Sequence, residues 1–162
     1  MNTDYAVEKY YPKILRFVAM RARSKKETID RLKKYIQDQE EIGTIIEIMV
    51  ARLEEGGFIG DEKFAKEFVS SIFNSSKPRG KQYVMRYLMQ KGVPRQIIET
   101  ALSKINTEDE FAPALAAAEK KLRIQKSKNQ FDAKRKLYAH LVGKGFSPDI
   151  ISRVIDRTLG VK

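Results

Sequence analysis

Residues Lys81–Leu102, KQYVMRYLMQKGVPRQIIETAL, decide the fold, because their pattern returns at Lys134–Ile155 as KRKLYAHLVGKGFSPDIISRVI. Both stretches place two apolar residues four positions apart, then a Lys-Gly pair, then a proline followed by Ile-Ile. A fainter copy lies upstream, where Leu32 and Ile36 take the corresponding apolar places. A fixed period of about 50 residues is typical of repeat proteins. The chain is therefore predicted to contain one helical unit three times.

The hydrophobic spacing predicts helices throughout and no strand, so the expected fold class is all-α with nine helices. Three helices form each of three tandem repeats, predicted at residues 1–56, 57–106 and 107–162. A unit of roughly 50 residues buries too little surface to be stable alone, so neighbouring repeats are expected to stack. The predicted helices cover about 5–23, 25–39, 42–55, 61–73, 81–91, 94–104, 111–126, 130–143 and 148–159.

Local signals mark several helix ends. Ser24 and Glu27 form a predicted capping box before the second helix, and Thr107 with Glu110 forms another before the seventh. Proline suits a first turn, so the first helix is expected to be regular only after Pro12.

Composition narrows the classes of function. The chain of 162 residues has no Cys and one His, which excludes disulfides and thiolate metal sites. The single histidine, His140, occupies the place of a tyrosine in the other repeats and is predicted to pack at the flank of the core. No P-loop, GxGxxG or HExxH motif is present, so we expect neither an enzyme nor a cofactor. No apolar run could span a bilayer and no secretory signal is visible, which favours a cytoplasmic protein without membrane contact.

A net charge of +11 favours an acidic partner, either nucleic acid or an acidic protein surface. The excess is carried mainly by the second and third repeats, and long cationic side chains fall on the sides of the middle helices away from their apolar stripes. An ordinary solvated helix face remains the alternative reading. The candidate partner-binding residues are Arg21, Arg23, Lys25, Arg31, Lys34, Arg79, Lys81, Arg86, Lys134, Arg135 and Lys136.

Several motifs resemble the RecX family, the bacterial regulators of the RecA recombinase. The most specific is Gly57–Ala65, GFIGDEKFA, which is similar to the family's opening of the second repeat. Arg21–Glu27, Pro78–Gly80, Gln90–Val93 and Lys144–Ser147 resemble its other landmarks. The resemblance implies repeats stacked into a curved, elongated module that binds the groove of the RecA–DNA filament. It also implies modulation, usually inhibition, of RecA, and it supplies no catalytic residue.

The partners expected from this resemblance are the RecA filament and, weakly and in a salt-dependent way, single- or double-stranded DNA. The protein itself is expected to be a monomer. A free-standing DNA-binding protein with helix-turn-helix-like units is the alternative, and it requires polar base-reading side chains at the start of a helix. Pro94-Arg95-Gln96 partly fits that requirement, whereas Ser147-Pro148-Asp149 places a carboxylate there and fits poorly.

Overall fold

The computed structural model describes residues 3–36 and 41–160, which form nine α-helices and no strand. For this part of the chain the prediction of an all-α fold with nine helices is confirmed. The helices are α1 (Thr3–Ala19), α2 (Lys25–Tyr35), α3 (Ile42–Glu55), α4 (Asp61–Phe73), α5 (Lys81–Gln90), α6 (Arg95–Leu102), α7 (Thr107–Ile124), α8 (Gln130–Gly143) and α9 (Pro148–Leu159).

The capping box before α2 is confirmed. Ser24 Oγ accepts a hydrogen bond from the Glu27 N–H at 3.2 Å, and Glu27 Oε2 accepts one from the Ser24 N–H at 3.2 Å. The predicted box of Thr107 and Glu110 is wrong by one residue, because Asn106 is the N-cap of α7 and exchanges its bonds with Asp109. The Glu110 carboxylate is buried instead and accepts the backbone N–H of Lys81 at 2.8 Å.

The expectation that α1 becomes regular only after Pro12 is wrong. The helix starts at Thr3 and continues through the proline, although the ring removes one backbone donor. Ala6, Val7 and Ile14 are buried on both sides of it, and burial of this stripe offsets the lost hydrogen bond. The α2 helix ends at Tyr35, and the rest of its predicted extension to Gln39 lies largely outside the described residues.

The first of two compact units contains the residues up to Glu67 together with Leu88–Ile98. Inside it, α1 packs against α2 and α3, and α2 packs against α3. The apolar stripes of these helices close one core. Its buried members are Ala6, Val7, Ile14, Val18, Leu32, Ile36, Ile45, Ile46, Met49, Val50, Leu53 and Ile59.

The second compact unit contains Phe68–Tyr87 and the residues from Glu99 onward. Inside it, α7 packs against both α8 and α9, and α8 packs against α9. Small alanines on α7 allow the aliphatic side chains of α8 and α9 to approach closely. The buried members of this core are Ala114, Ala117, Ala118, Leu137, Leu141, Phe146, Ile150, Ile151, Val154 and Ile155. The repeat boundaries 1–56, 57–106 and 107–162 stay a prediction.

Among the helices of residues 3–36 and 41–160, none combines the length and the hydropathy that crossing a bilayer requires.

Candidate partner-binding site

The repeated Lys-Gly pair forms a tight turn at the end of a middle helix. In the first unit, Gly92 has a φ of +75°, a left-handed conformation that favours glycine. Ser24 Oγ donates to the Lys91 carbonyl at 2.7 Å, so the start of α2 is held against this turn. A Cβ at Gly92 would lie 2.8 Å from the side chain of Lys26, which covers the turn.

The second unit contains the equivalent turn at Lys144-Gly145, where Gly145 has a φ of +81°. The Gly80 N–H donates to the Lys144 carbonyl and the Gln82 N–H donates to the Gly145 carbonyl, both at 3.0 Å. A Cβ at Gly80 would overlap the carbonyl oxygen of Gly145, so the backbones touch. This contact places Arg79 beside Lys144.

Three basic side chains near the first turn lie within 4.0 Å of the Glu27 carboxylate. We call this set the Glu27 group (Arg21, Arg23, Glu27 and Lys91). Glu27 Oε1 lies 2.8 Å from Lys91 Nζ, 2.9 Å from Arg21 Nη2 and 3.9 Å from Arg23 Nη1. Burial alone would raise the pKa of Glu27, but hydrogen bonds from Lys91, Arg21 and the Ser24 backbone outweigh it and lower that pKa. Two predicted partner-binding residues, Arg21 and Arg23, are therefore engaged within the protein.

Two further predicted residues, Arg135 and Lys136, are paired along their own helix. Asp132 Oδ1 lies 3.0 Å from Arg135 Nη2, and its Oδ2 lies 2.7 Å from Lys136 Nζ. Hydrogen bonds from Lys136, Arg135 and the Lys128 backbone lower the pKa of Asp132 to about 2. Arg135 and Lys136 thus share one carboxylate, which offsets part of their positive charge.

The other predicted residues, apart from Arg79, differ in their surroundings. Lys25 pairs with Glu54 at 3.1 Å, and Lys81 is half-buried with its backbone bonded to Glu110. Arg31 donates to the Tyr35 hydroxyl at 3.0 Å, and its guanidinium lies over the rings of Phe17 and Tyr35. The exposed remainder consists of Lys34, Arg86 and Lys134.

A concentration of uncompensated positive charge lies around the second turn, and we call it the α7–α8 basic cluster (Arg79, Lys120, Lys121, His140 and Lys144). Burial, followed by the charges of Lys144, Lys121 and Arg79, lowers the pKa of His140 below its ordinary 6.5. Burial, followed by the charges of Arg79 and Lys120, lowers the pKa of Lys144. Within residues 3–36 and 41–160, no carboxylate oxygen lies within 4.0 Å of the four basic side chains.

Of these five residues, only Arg79 was among the partner-binding residues predicted from the sequence. His140 was predicted to pack at the flank of the core, and its ring is half-buried there, with three cations that lower its pKa. The signal that points to Lys144 is its equivalence with Lys91 in the repeated Lys-Gly pair. Arg79 lies beside Lys144 because Gly80 and Gly145, which belong to different predicted repeats, are in contact. The pattern of a single helix does not show this contact.

Two family models match the chain: the second three-helix domain of RecX at residues 61–102 and its third three-helix domain at residues 108–155. A "Regulatory protein RecX" of Chlorobium phaeobacteroides (strain BS1) is 35% identical over 151 residues, which cover 93% of each chain. The chain belongs to the RecX family. The resemblance drawn from Gly57–Ala65 and the other landmarks is confirmed.

Other RecX proteins are longer. Those of Bacillus licheniformis and Bacillus subtilis (strain 168) are 33% and 32% identical to this chain over 94% and 93% of its length. The matched part covers only 56% and 55% of these two relatives, so the chain spans little more than half their length.

The fold is that of solved RecX structures. The crystal structure of RecX from Lactobacillus salivarius matches with a TM-score of 0.81 at 25% identity, covering 98% of this chain and 99% of that one. A second crystal structure of a regulatory protein RecX matches with a TM-score of 0.83 at 24% identity, over 93% of this chain and 73% of the other. The second likeness concerns the fold alone.

Proposed function

We propose that this RecX-family chain binds the RecA–DNA filament and modulates, usually by inhibiting, the recombinase, ATPase and coprotease activities of RecA. The observation that carries the proposal is the similarity to a protein named Regulatory protein RecX over 93% of both chains. The protein acts without catalysis or cofactor, by occupying the filament. The proposal places it in the cytoplasm as a monomer.

Charge supports this partner. A filament of protein on DNA offers phosphate and acidic side chains together, and a chain of net charge +11 is attracted to both. Repeated units that each contact the filament weakly bind strongly in sum, because the later contacts are intramolecular. The exposed candidates Arg31, Lys34, Arg86 and Lys134 are favoured as contacts, since they form no ion pair in the described part of the chain.

The test is binding of the purified protein to RecA filaments on single-stranded DNA, to free RecA and to bare DNA at one salt concentration. We expect the filament to bind tightest, because it presents both kinds of acidic surface. Equal affinity for filament and bare DNA would favour the alternative, a free-standing DNA-binding protein. Absence of binding to the filament would refute the proposal.

A charge reversal addresses the proposed contact face. Replacing Arg79, Arg86, Arg135 and Lys136 by Glu is expected to weaken filament binding, most strongly at low salt. Since Arg135 and Lys136 already pair with Asp132, most of the loss should come from Arg79 and Arg86. Reversing the two pairs separately, with filament affinity as the measurement, checks this ranking.

A further inference from the structure

The α7–α8 basic cluster joins side chains from three parts of the second unit. Lys120 and Lys121 lie in the last turns of α7, His140 and Lys144 lie four residues apart at the end of α8, and Arg79 precedes α5. The hydrogen bond from the Gly80 N–H to the Lys144 carbonyl holds the segment with Arg79 against the end of α8. The packing of α7 against α8 and the backbone contact at Gly80 thus hold these like charges in one region of the unit.

Holding cations together without a carboxylate costs free energy, which a bound anion would recover. At the Glu27 group and at Asp132, one acid within 4.0 Å of two or three basic side chains offsets part of that cost. The cluster is built differently, because its four basic side chains have no acid within that distance in the described residues. It therefore lacks the acid that the other two sets contain.

We propose that the α7–α8 basic cluster binds the sugar–phosphate backbone of a nucleic acid strand. The inference deepens the proposed function, because it assigns the nucleic acid contact of the filament to these residues. Three lysines act as compact point charges for successive phosphates. The Arg79 guanidinium lies 4.8 Å from the ring centroid of Tyr83, and this cation–π contact helps to hold the arginine beside the lysines.

The pKa of His140 reports whether an anion binds within the cluster. In the free protein, burial lowers the pKa of the His140 imidazole most. The positive charges of Lys144 at the end of α8, Lys121 on α7 and Arg79 before α5 lower it further. A phosphate within the cluster offsets these charges and raises the pKa of His140. Because the chain has one histidine, its ring protons report on this site alone.

The binding experiment uses the full chain, a fluorescent oligothymidylate and titration at several salt concentrations. The site variant changes Lys120, Lys121 and Lys144 to Gln, and the matched control changes the exposed lysines Lys13, Lys63 and Lys104 to Gln. The two proteins have the same net charge. We expect the site variant to bind roughly tenfold or more weakly than the control, with a slope of log K against log salt that is smaller by about 2.

Thermal melting checks the fold of both variants, and titration of the parent by nuclear magnetic resonance adds a measurement that needs no mutation. Saturating oligothymidylate should raise the pKa of His140. An unchanged His140 pKa, or a site variant that binds like the control, would overturn the proposal. Poly-glutamate that competes as well as DNA of equal charge, and raises the His140 pKa equally, would also overturn it, because the site would then fit an acidic protein.

The outcomes separate this inference from the proposed function. A parent protein that binds oligothymidylate through the cluster but leaves RecA filaments unaffected supports the site and refutes the filament role. A parent that inhibits the filament while the site variant binds oligothymidylate like the control refutes the site alone.

Discussion

The Glu27 group and the α7–α8 basic cluster occupy corresponding places, yet their charges are arranged in opposite ways. Each lies at a Lys-Gly turn that ends a middle helix, with a glycine at positive φ. In the first, Glu27 lies 2.8 Å from the turn lysine, Lys91. In the second, the turn lysine, Lys144, has only basic neighbours among the groups that shift its pKa. The difference is one carboxylate, which pairs with the turn lysine in the first unit and has no counterpart beside the turn lysine of the second among the described residues.

Each of the two turns is expected to be supported by a buried leucine in the helix before it. Leu88 in the first unit and Leu141 in the second are fully buried, one turn before their Lys-Gly pairs. Leu88→Ala and Leu141→Ala should each lower the free energy of unfolding by ~2–5 kcal/mol, through lost burial and a residual cavity. Chemical denaturation measures both. A loss below ~1 kcal/mol at either site would show that its turn is not supported by the core.

The two turns should respond differently to an added methyl group. At Gly80 a Cβ overlaps the Gly145 backbone, which has no flexible end to move aside, so Gly80→Ala should cost more than ~2 kcal/mol. At Gly92 the methyl group would lie 2.8 Å from Lys26 Cδ and 2.9 Å from Lys26 Cβ but would not overlap a backbone atom. Gly92→Ala should therefore cost the ~1–2 kcal/mol of a left-handed backbone and a small shift of Lys26, which is less than the cost of Gly80→Ala. Thermal unfolding of the two variants ranks them, and the reverse order would contradict the backbone contact at Gly80.

Removal of the Glu27 charge should leave the cations at the first turn without an acid, as at the second turn. Glu27→Gln keeps the length of the side chain but leaves Arg21 and Lys91 without their acid, at a cost of about 1 kcal/mol near neutral pH. The pKa of Glu27 is lowered in the fold, so its contribution is present above the unfolded value of 4.5 and is lost as pH falls through the folded value. The parent and variant should therefore converge in stability in acid.

Affinity gives a second measurement on the same variant. Glu27→Gln should bind oligothymidylate more tightly than the parent, because it frees cations. Equal affinity and equal stability at every pH would show that Glu27 does not compensate them.

The smallest expected effect is a change in the pKa of Asp132 when one of its basic partners is replaced. Its pKa should be about 2 by carboxyl carbon titration, because Lys136 and Arg135 donate to the charged form. In Lys136→Gln that pKa should move upward toward its ordinary 3.8. A value already near 3.8 in the parent would mean that Arg135 and Lys136 are free to bind a partner.

Local sequence signals predicted the helices well. The predicted bounds of α8 and α9 agree with the structure, where Asn129 and Ser147 are the N-caps, because capping depends on neighbouring residues only. The prediction that α1 is regular only after Pro12 was wrong, because burial of the apolar side of α1 outweighs the hydrogen bond that proline removes. At α7, Thr107 was chosen over the actual cap, Asn106, although both residue types can cap a helix.

The candidate site was less predictable, because its chemistry depends on which charges meet. The pairing of Arg135 with Asp132 follows from helical spacing and could have been anticipated. The links from Lys91 to Glu27 and from Gly80 to Lys144 join residues more than 60 positions apart. A single sequence read helix by helix does not show such contacts.

The most direct test of the central claim is RecA-driven ATP hydrolysis on single-stranded DNA, measured while the parent protein, the Lys120/Lys121/Lys144 site variant and the Lys13/Lys63/Lys104 control variant are titrated in. We expect the parent and the control to inhibit at the same concentration. The site variant should require roughly tenfold more protein, because it lacks three phosphate contacts. If the parent leaves hydrolysis unchanged at concentrations that saturate the filament, the chain does not regulate RecA in this way.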